Sequence, residues 1–387
     1  VTWRCLVAET TTGLIVAELN PADAPDWTSE INSKGTWGVS LRLGPEPGAN
    51  PKEDTLNYAT AGRYAWVIVY NNTPLQAGMP ADGGYEQKTR TLSVSGTGIA
   101  SLFDNRSVRA PNGTPATIAN SANNLAITGA TKRRIIRELF AQSLADTNSG
   151  AGLPFDITDA ATETGTESRS YAAADLTSFL RRLTDEADDN QGPEFIVRPY
   201  FTAVGGAPAI GWKAAIGSPL LGNQNLDASW ELNAAFSTID VDYNMSVPIP
   251  HRVWVKGAGD GPVSIFGYAE NSAALQAAKI PYADYVDTSH SDISDVAKLN
   301  SFAAATLAER SVAVETWNVS VRVDGKNDQG KQISPELGSW AEGDQPLFRV
   351  TKHQVIPDGS YRRRIVGTGK GQQPGTVALK IKPTPLA

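Results

Sequence analysis

The sequence predicts a mainly β chain with α+β insertions, and three observations carry that prediction. Short runs of alternating apolar and polar residues recur from the first strand to the last hundred residues. The 35 glycines and 24 prolines, with nine tryptophans, suit a turn-rich β chain. Helical spacing takes over only in the middle and again before the C-terminal strands, giving two β modules interrupted or separated by helical insertions.

Residues 1–108 read as β. Leu14-Ile-Val-Ala-Glu-Leu19 and Gly38-Val-Ser-Leu-Arg-Leu43 are short strands, and the breakers of Gly44-Pro-Glu-Pro-Gly-Ala-Asn-Pro51 make a loop. Tyr64-Ala-Trp-Val-Ile-Val-Tyr70 is a near-continuous apolar strand, expected to be buried on both faces. Asn71-Asn-Thr-Pro74 turns the chain toward Leu75-Gln-Ala-Gly78, and Thr89–Ser95 alternates with Leu92 and Val94 inward. Residues 109–130, rich in Asn, Ala, Thr, Gly and Pro, read as a linker or surface loop. Residues 131–144 form an amphipathic helix with Ile135, Ile136, Leu139, Phe140 and Leu144 on one side. A second helix over 173–188 places Leu176, Phe179, Leu180 and Leu183 at helical spacing, and strands near 194–198 and 209–213 close an α+β unit over 109–230.

β grammar resumes with Phe236-Ser-Thr-Ile-Asp-Val-Asp-Tyr243 and Arg252-Val-Trp-Val-Lys256, so 231–260 opens a second β module. A helical excursion over 271–310 follows, assigned as an insertion over 261–310. Its second helix starts from Ser291-Asp292 as cap and packs Val296, Leu299, Phe302 and Leu307. Residues 311–387 return to β: Trp317-Asn-Val-Ser-Val-Arg-Val323, a turn at Trp340-Ala-Glu-Gly-Asp344, the strand Pro346–Val350, and a Pro-Asp-Gly turn into Tyr361-Arg-Arg-Arg-Ile-Val-Gly367.

Composition narrows the function. A net charge of −7 argues against a duplex binder held by phosphate contacts, and 19% charged residues is low enough to suggest surface covered by partners. One cysteine excludes an intrachain disulfide framework and a thiolate zinc cluster; Cys5 reads as a buried strand residue. No run of about eighteen apolar residues spans a bilayer. The N-terminus lacks signal-peptide zones, so folding or assembly in a cytosol is expected.

No catalytic pattern emerges from the three histidines, His251, His290 and His353, and no Walker or Gly-x-Ser-x-Gly sequence is present. Ser95-Gly-Thr-Gly-Ile-Ala-Ser101 lacks the third glycine and the distant acid of a dinucleotide loop and reads as a strand-to-helix turn. Asp284, Asp287, His290, Asp292 and Asp295 have metal-ligand chemistry, but acids entering a helix are stabilised by its N-terminal partial charge without a metal. Asp324-Gly-Lys-Asn-Asp-Gln-Gly330 has no closing acid for calcium and reads as a hairpin loop. Glu186 with Asp188 or Asp189 sits on what reads as an ordinary helix face. Arg362-Arg-Arg364 alternates across a strand, which favours salt bridges over a phosphate patch. Trp66, Trp254 and Trp317 lie inside alternating strands and are expected in the core. Accordingly no catalytic, cofactor-binding or metal residue is assigned, and the chain is not expected to be an enzyme.

Several blocks in order carry a resemblance: Tyr64–Tyr70 with Leu75-Gln-Ala-Gly78; Thr91-Leu-Ser-Val-Ser-Gly96 running into Leu102-Phe-Asp-Asn-Arg106; Ser170-Tyr171; Trp340–Asp344; and Ile356-Pro-Asp-Gly-Ser-Tyr-Arg-Arg-Arg364. Over nearly the whole chain they resemble the baseplate hub family of tailed bacteriophages, including the N-terminal part of siphophage tail-associated lysins and minor tail proteins. The resemblance implies two tube-type β-barrel domains, residues 1–108 and 231–260 with 311–387, plus helical and α+β inserted domains. It also implies a homotrimer whose six barrels match a hexameric tail tube at the virion tail tip, assembled in the host cytoplasm. Its implied neighbours are the distal tail protein, the tape measure protein and other tail-tip or fibre proteins, with DNA passing without specific binding. Because the sequence stops at Ala387 just after the second barrel, a pure hub is expected over a peptidoglycan-degrading lysin or a glycan-binding adhesin. From the net −7, lumen-facing residues are expected to be acidic or neutral.

Overall fold

A seven-residue strand with apolar side chains on both faces needs cover on both, and Tyr64–Tyr70 is buried along its whole length. The computed structural model describes residues 3–109, 118, 120–145, 153–158, 160–189, 191–232, 239–246, 250–277, 279, 281, 283–310, 314–326, 328–331, 334–373 and 375–383. The first segment contains β1 (Trp3–Glu9), β2 (Ile15–Leu19), β3 (Asp26–Glu30), β4 (Thr36–Arg42), α1 (Lys52–Tyr58), β5 (Tyr64–Tyr70), β6 (Thr73–Gly78), β7 (Asp82–Glu86), β8 (Thr91–Thr97) and α2 (Ser101–Asp104). Next come β9 (Leu125–Ala130), α3 (Lys132–Ala145), β10 (Phe155–Ile157), β11 (Glu167–Tyr171), α4 (Phe179–Ala187), β12 (Phe195–Val204) and β13 (Ala207–Ile216). The remainder holds β14 (Ser229–Leu232), β15 (Ile239–Ser246), β16 (Arg252–Lys256), β17 (Phe266–Glu270), α5 (Ser272–Ala277), β18 (Asp284–Asp287), α6 (Val296–Arg310), β19 (Val314–Arg322), β20 (Leu347–Val350), β21 (Gly359–Lys370) and β22 (Thr376–Pro383). The chain is mainly β with α+β insertions, as the alternation predicts.

Strands from the two ends of the sequence form one sheet. Its path runs β15-β19-β22-β21-β3-β4-β8-β7, with β20 paired to β21 and β14 to β20. Four C-terminal strands thus meet four N-terminal strands at the β21–β3 seam, where Gly367, Thr368 and Gly369 face Glu30, Ser29 and Thr28. Glycine is needed at that seam: a Cβ on Gly369 would sit 2.9 Å from the Trp27 carbonyl oxygen. A second sheet, β2-β1-β5-β6, stacks on the first. One face of β1 and β5 (Cys5, Val7, Trp66, Ile68) shares a core with Trp37, Leu41, Trp317, Phe348 and Ile381, so both β modules draw on one apolar cluster. The other face (Leu6, Ala65, Val67, Val69) joins Ile135, Phe140, Leu183, Phe195 and Trp212 of the first insertion. Each fully buried side chain of this size contributes about 1.5–3 kcal/mol relative to exposure. β5 is therefore the wall between two cores.

Local physics moved several expected elements. Part of the presumed linker is β9, whose Leu125, Ile127 and Ala130 turn inward against β11; residues 110–117 and 119 lie outside the described residues. The helix expected over 173–188 starts at Phe179. A 3-10 turn over Ala173–Asp175 ends with Leu176 at φ 49°, and Ser178 then caps α4 through the Arg181 amide. Leu176 is consequently 60% exposed rather than on the apolar face. α6 begins at Val296, because the Asp295 carboxylate accepts the Ala297 and Lys298 amides, displacing Ser291-Asp292 as cap and leaving Val296 exposed.

The second insertion also differs from expectation. β16, read as part of the second β module, pairs with β17 and β18, and Val253 and Val255 pack beneath Leu299 and Phe302 of α6. The 261–310 stretch is thus the rest of a small α/β unit, not purely helical. Trp254 faces away from that core and is half-buried against Tyr268, with ring centroids 4.7 Å apart. The hairpin expected at 324–330 has no ladder among the described residues: β19 pairs with β15 and β22 and not with β20, and residue 327 lies outside them. Of the expected strand at 236–243, residues 236–238 lie outside the described residues, and β15 begins at Ile239.

Candidate functional site

The long sheet offers a candidate surface. On its side away from the core, Ser40 faces Ser93 and Thr28 bonds Thr36 at 2.8 Å, while Ser320 and Ala378 are paired across β19 and β22. Three cations there have partners: Lys370 lies 2.9 Å from Asp26, Arg322 lies 2.9 Å from Asp324, and Lys380 pairs with Glu30. Alternation produces this face directly, because Ser40 and Ser93 stand between Val39 and Leu41 and between Leu92 and Val94, with Gly38, Thr91 and Ser95 next on the same side.

Both ends of the sheet path are unpaired among the described residues. β7 bonds only β8, and β15 bonds only β19. Residues 81–90 are exposed throughout, so the β7–β8 hairpin projects from the body with Gly83 and Gly84 leaving its backbone uncovered. An uncovered strand edge of this kind is a template for pairing with another chain.

Two buried charge clusters hold the insertions, the first to the β framework and the second to each other. In the first, Arg364 is 5% exposed and pairs with Glu194, while Arg198 contacts Glu342 at 2.6 Å and Thr368 donates to the same carboxylate. Burial alone would push the Glu342 carboxyl up, but Arg198 beside it and the hydroxyls of Thr368 and Ser29 outweigh that and hold it below its usual range. Arg363 lies over the rings of Trp317 and Tyr361, and Arg362 donates to the Gln345 carbonyl at 3.0 Å. Arg364 thus makes the kind of salt bridge that the alternation suggested, while Arg363 stacks on aromatic rings and Arg362 bonds a carbonyl. The Gly-Asp turn beside it is built by Gly343 at φ 100° and by Asp344, which accepts the Ala341 and Asn223 amides.

The second cluster lies between α4 and the start of α6. Glu186 is fully buried, with Lys298 at 2.6 Å, Arg169 at 3.0 Å and the Tyr171 hydroxyl donating at 2.9 Å. Asp189 meets Lys132 at 3.0 Å, Arg169 at 3.4 Å and the Ser301 hydroxyl. Glu186 and Asp189 are thus tied to cations on a buried face, not displayed on an ordinary helix surface. Burial pushes Asp185 up against the pull of Arg181 and Arg182, pushes His290 down, and pushes the Tyr171 hydroxyl up. His290 stacks on Phe302 at 4.0 Å.

The acid-rich stretch before α6 is dispersed among separate partners. Asp284 pairs with Arg252 at 3.0 Å, Asp287 lies 3.6 Å from His290, Asp292 pairs with Arg182 at 3.0 Å, and Asp295 caps α6. No group of three or more potential ligands with metal-binding geometry occurs among the described residues. His251 lies 3.8 Å from Glu270, and His353 Nδ1 accepts the Ile356 amide at 2.9 Å. Ser95–Ser101 is a strand-to-helix turn whose Gly98 permits close packing: a Cβ there would stand 2.0 Å from the Lys34 carbonyl oxygen. The Cys5 thiol is buried and pushed up to about 12.

Comparison with known structures agrees with the resemblance carried by the sequence blocks. A tail protein from Neisseria meningitidis MC58 is 13% identical with a TM-score of 0.52, over 99% of this chain and 97% of that one. The 43 kDa tail protein of prophage MuSo2 from Shewanella oneidensis is 12% identical with a TM-score of 0.53, over 99% and 98%. No protein-family model and no curated sequence matches the chain. The chain has the fold of phage tail proteins along its full length.

Proposed function

We propose that this chain is a structural hub of a phage tail tip, whose copies close a ring around the DNA passage. The observation that carries the reading is the continuous sheet made from both ends of the sequence, with no further strand bonded beyond β7 or β15 among the described residues. Joining β7 of one copy to β15 of the next buries both edges without a new fold, and a closed cyclic ring is the stable way to do this. In a homotrimer, the four-strand N-terminal and four-strand C-terminal halves would alternate as six similar units, fit to meet a hexameric tube. A wall of about 24 strands at about 4.8 Å spacing would be roughly 37 Å across between backbones, wide enough for a duplex. The serine- and threonine-rich outer face, with Lys370 and Lys380 ion-paired, suits a lumen that lets phosphates slide past.

The domain boundaries follow the same reading: residues 1–108 form one barrel unit and the strands of 231–246 and 311–383 the other. The distal tail protein, the tape measure protein and tip or fibre proteins are its proposed neighbours, in a virion assembled in the host cytoplasm. The role is assembly without bond-making, which the ion-paired state of Glu186, Asp189 and Glu342 supports.

The test is mass by light scattering together with electron imaging of the purified chain. A threefold ring with a central hole is expected. Prolines placed in turn at Gly83 and Gly84 should include one that removes an outward N–H and returns the ring to monomers. A protein that stays monomeric at high concentration and cleaves peptidoglycan would sink the reading.

A further inference from the structure

The second insertion is attached to the molecule in an unusual way. It leaves after β15 and returns before β19, and Ser246 and Val314 are paired on the same rung of that ladder. Residues 250–310 carry their own core of Val253, Val255, Ile293, Leu299, Phe302 and Leu307, which shares no member with either large cluster. Among the described residues its contacts with α4 and the turn after it are polar: Lys298 to Glu186 at 2.6 Å, Asp292 to Arg182 at 3.0 Å, His290 Nδ1 3.9 Å from Asp185, Ser301 to Asp189, and the Ser289 carbonyl accepting from Arg181. The ion pair of Lys382 with Glu309, which links the unit to β22, is exposed.

The geometry points to a hinged module: residues 250–310 swing as a body about the Ser246–Val314 rung, latched to α4 by these ion pairs. An apolar interface resists opening because water penalises both exposed faces. Charges behave differently, since each partner regains hydration on separation and the desolvation cost of the closed state nearly offsets the attraction. The closed and open arrangements therefore lie close in free energy, while the module's own core survives either way. Salt favours opening by screening the released charges. This goes beyond the ring proposal and does not depend on it.

A two-thiol experiment on the full chain tests the hinge. His290, 5% exposed at the latch, is replaced as His290→Cys, while native Cys5, fully buried in β1, reports opening of the framework. In Lys298→Glu the thiol at 290 should be alkylated at least about tenfold faster than in the parent with Cys5 still unreacted, because one partner of a buried pair is left uncompensated. Raising salt should accelerate the parent by about threefold or more. Lys298→Arg, which keeps the charge facing Glu186, should retain the parent's protection, and amide exchange within α6 should stay slow throughout. Simultaneous reaction of both thiols, an unaffected thiol at 290 in Lys298→Glu, or exposure in Lys298→Arg equal to that in Lys298→Glu each overturns the hinge.

Discussion

The two insertions are held in place by opposite physics. The α+β unit carrying α3, α4, β12 and β13 is fused to the back of β5 through a continuous apolar cluster including Phe140, Phe195 and Trp212. The 250–310 unit keeps its apolar residues to itself and meets its neighbour through paired charges. Cohesion by shared core makes the first insertion part of one folding unit, whereas cohesion by ion pairs leaves the second separable.

The sharpest way to break that comparison is to cut the same kind of side chain from each core. Phe140→Ala should cost about 3–5 kcal/mol and lower the denaturant midpoint of the framework and first insertion together. Separate transitions for β5 and α3 would show that the shared cluster does not couple them. Phe302→Ala should cost a similar amount or slightly less, confined to the smaller unit: hydrogen exchange should accelerate between residues 252 and 308 while β5 keeps its protection.

The Glu342 bridge gives a smaller effect with a pH signature. Its carboxyl is held below the ordinary value of 4.5, so the bridge contributes fully above about pH 4.5 and is lost as pH falls through the depressed folded value. Glu342→Gln should cost about 1.5–3 kcal/mol at neutral pH and flatten the acid limb of a stability profile. An unchanged acid limb would remove Glu342 from the account. Smallest of all, Lys380→Ala should change stability by less than about 1 kcal/mol, because that pair with Glu30 is exposed; a urea titration would detect anything larger.

Periodicity made much of the fold legible. The Tyr64–Tyr70 run announced a strand between two cores, and Ile135, Ile136, Leu139 and Phe140 announced α3 because their spacing admits one buried face. What stayed hidden depended on partners far along the chain. Nothing local says that Arg252–Lys256 pairs with β17 and β18 rather than with the long sheet, or that β3 meets β21 across more than 300 residues. The buried charges were illegible for a related reason. Glu186 on an amphipathic helix defaults to the wet face, and only Arg169, Tyr171 and Lys298 arriving from elsewhere make its burial tolerable. Glu194 and Arg364, 170 positions apart, give no sequence signal at all. Leu176 misled because one left-handed residue breaks a helical count without changing composition.

The Ser246–Val314 rung has a further consequence. A ladder that closes on itself beneath an excursion does not register what the excursion contains, so a short turn, or an unrelated cassette with nearby termini, could be grafted there and leave the strands below undisturbed. Relatives built on this scaffold are thereby free to diversify at that junction while their shared architecture stays constant.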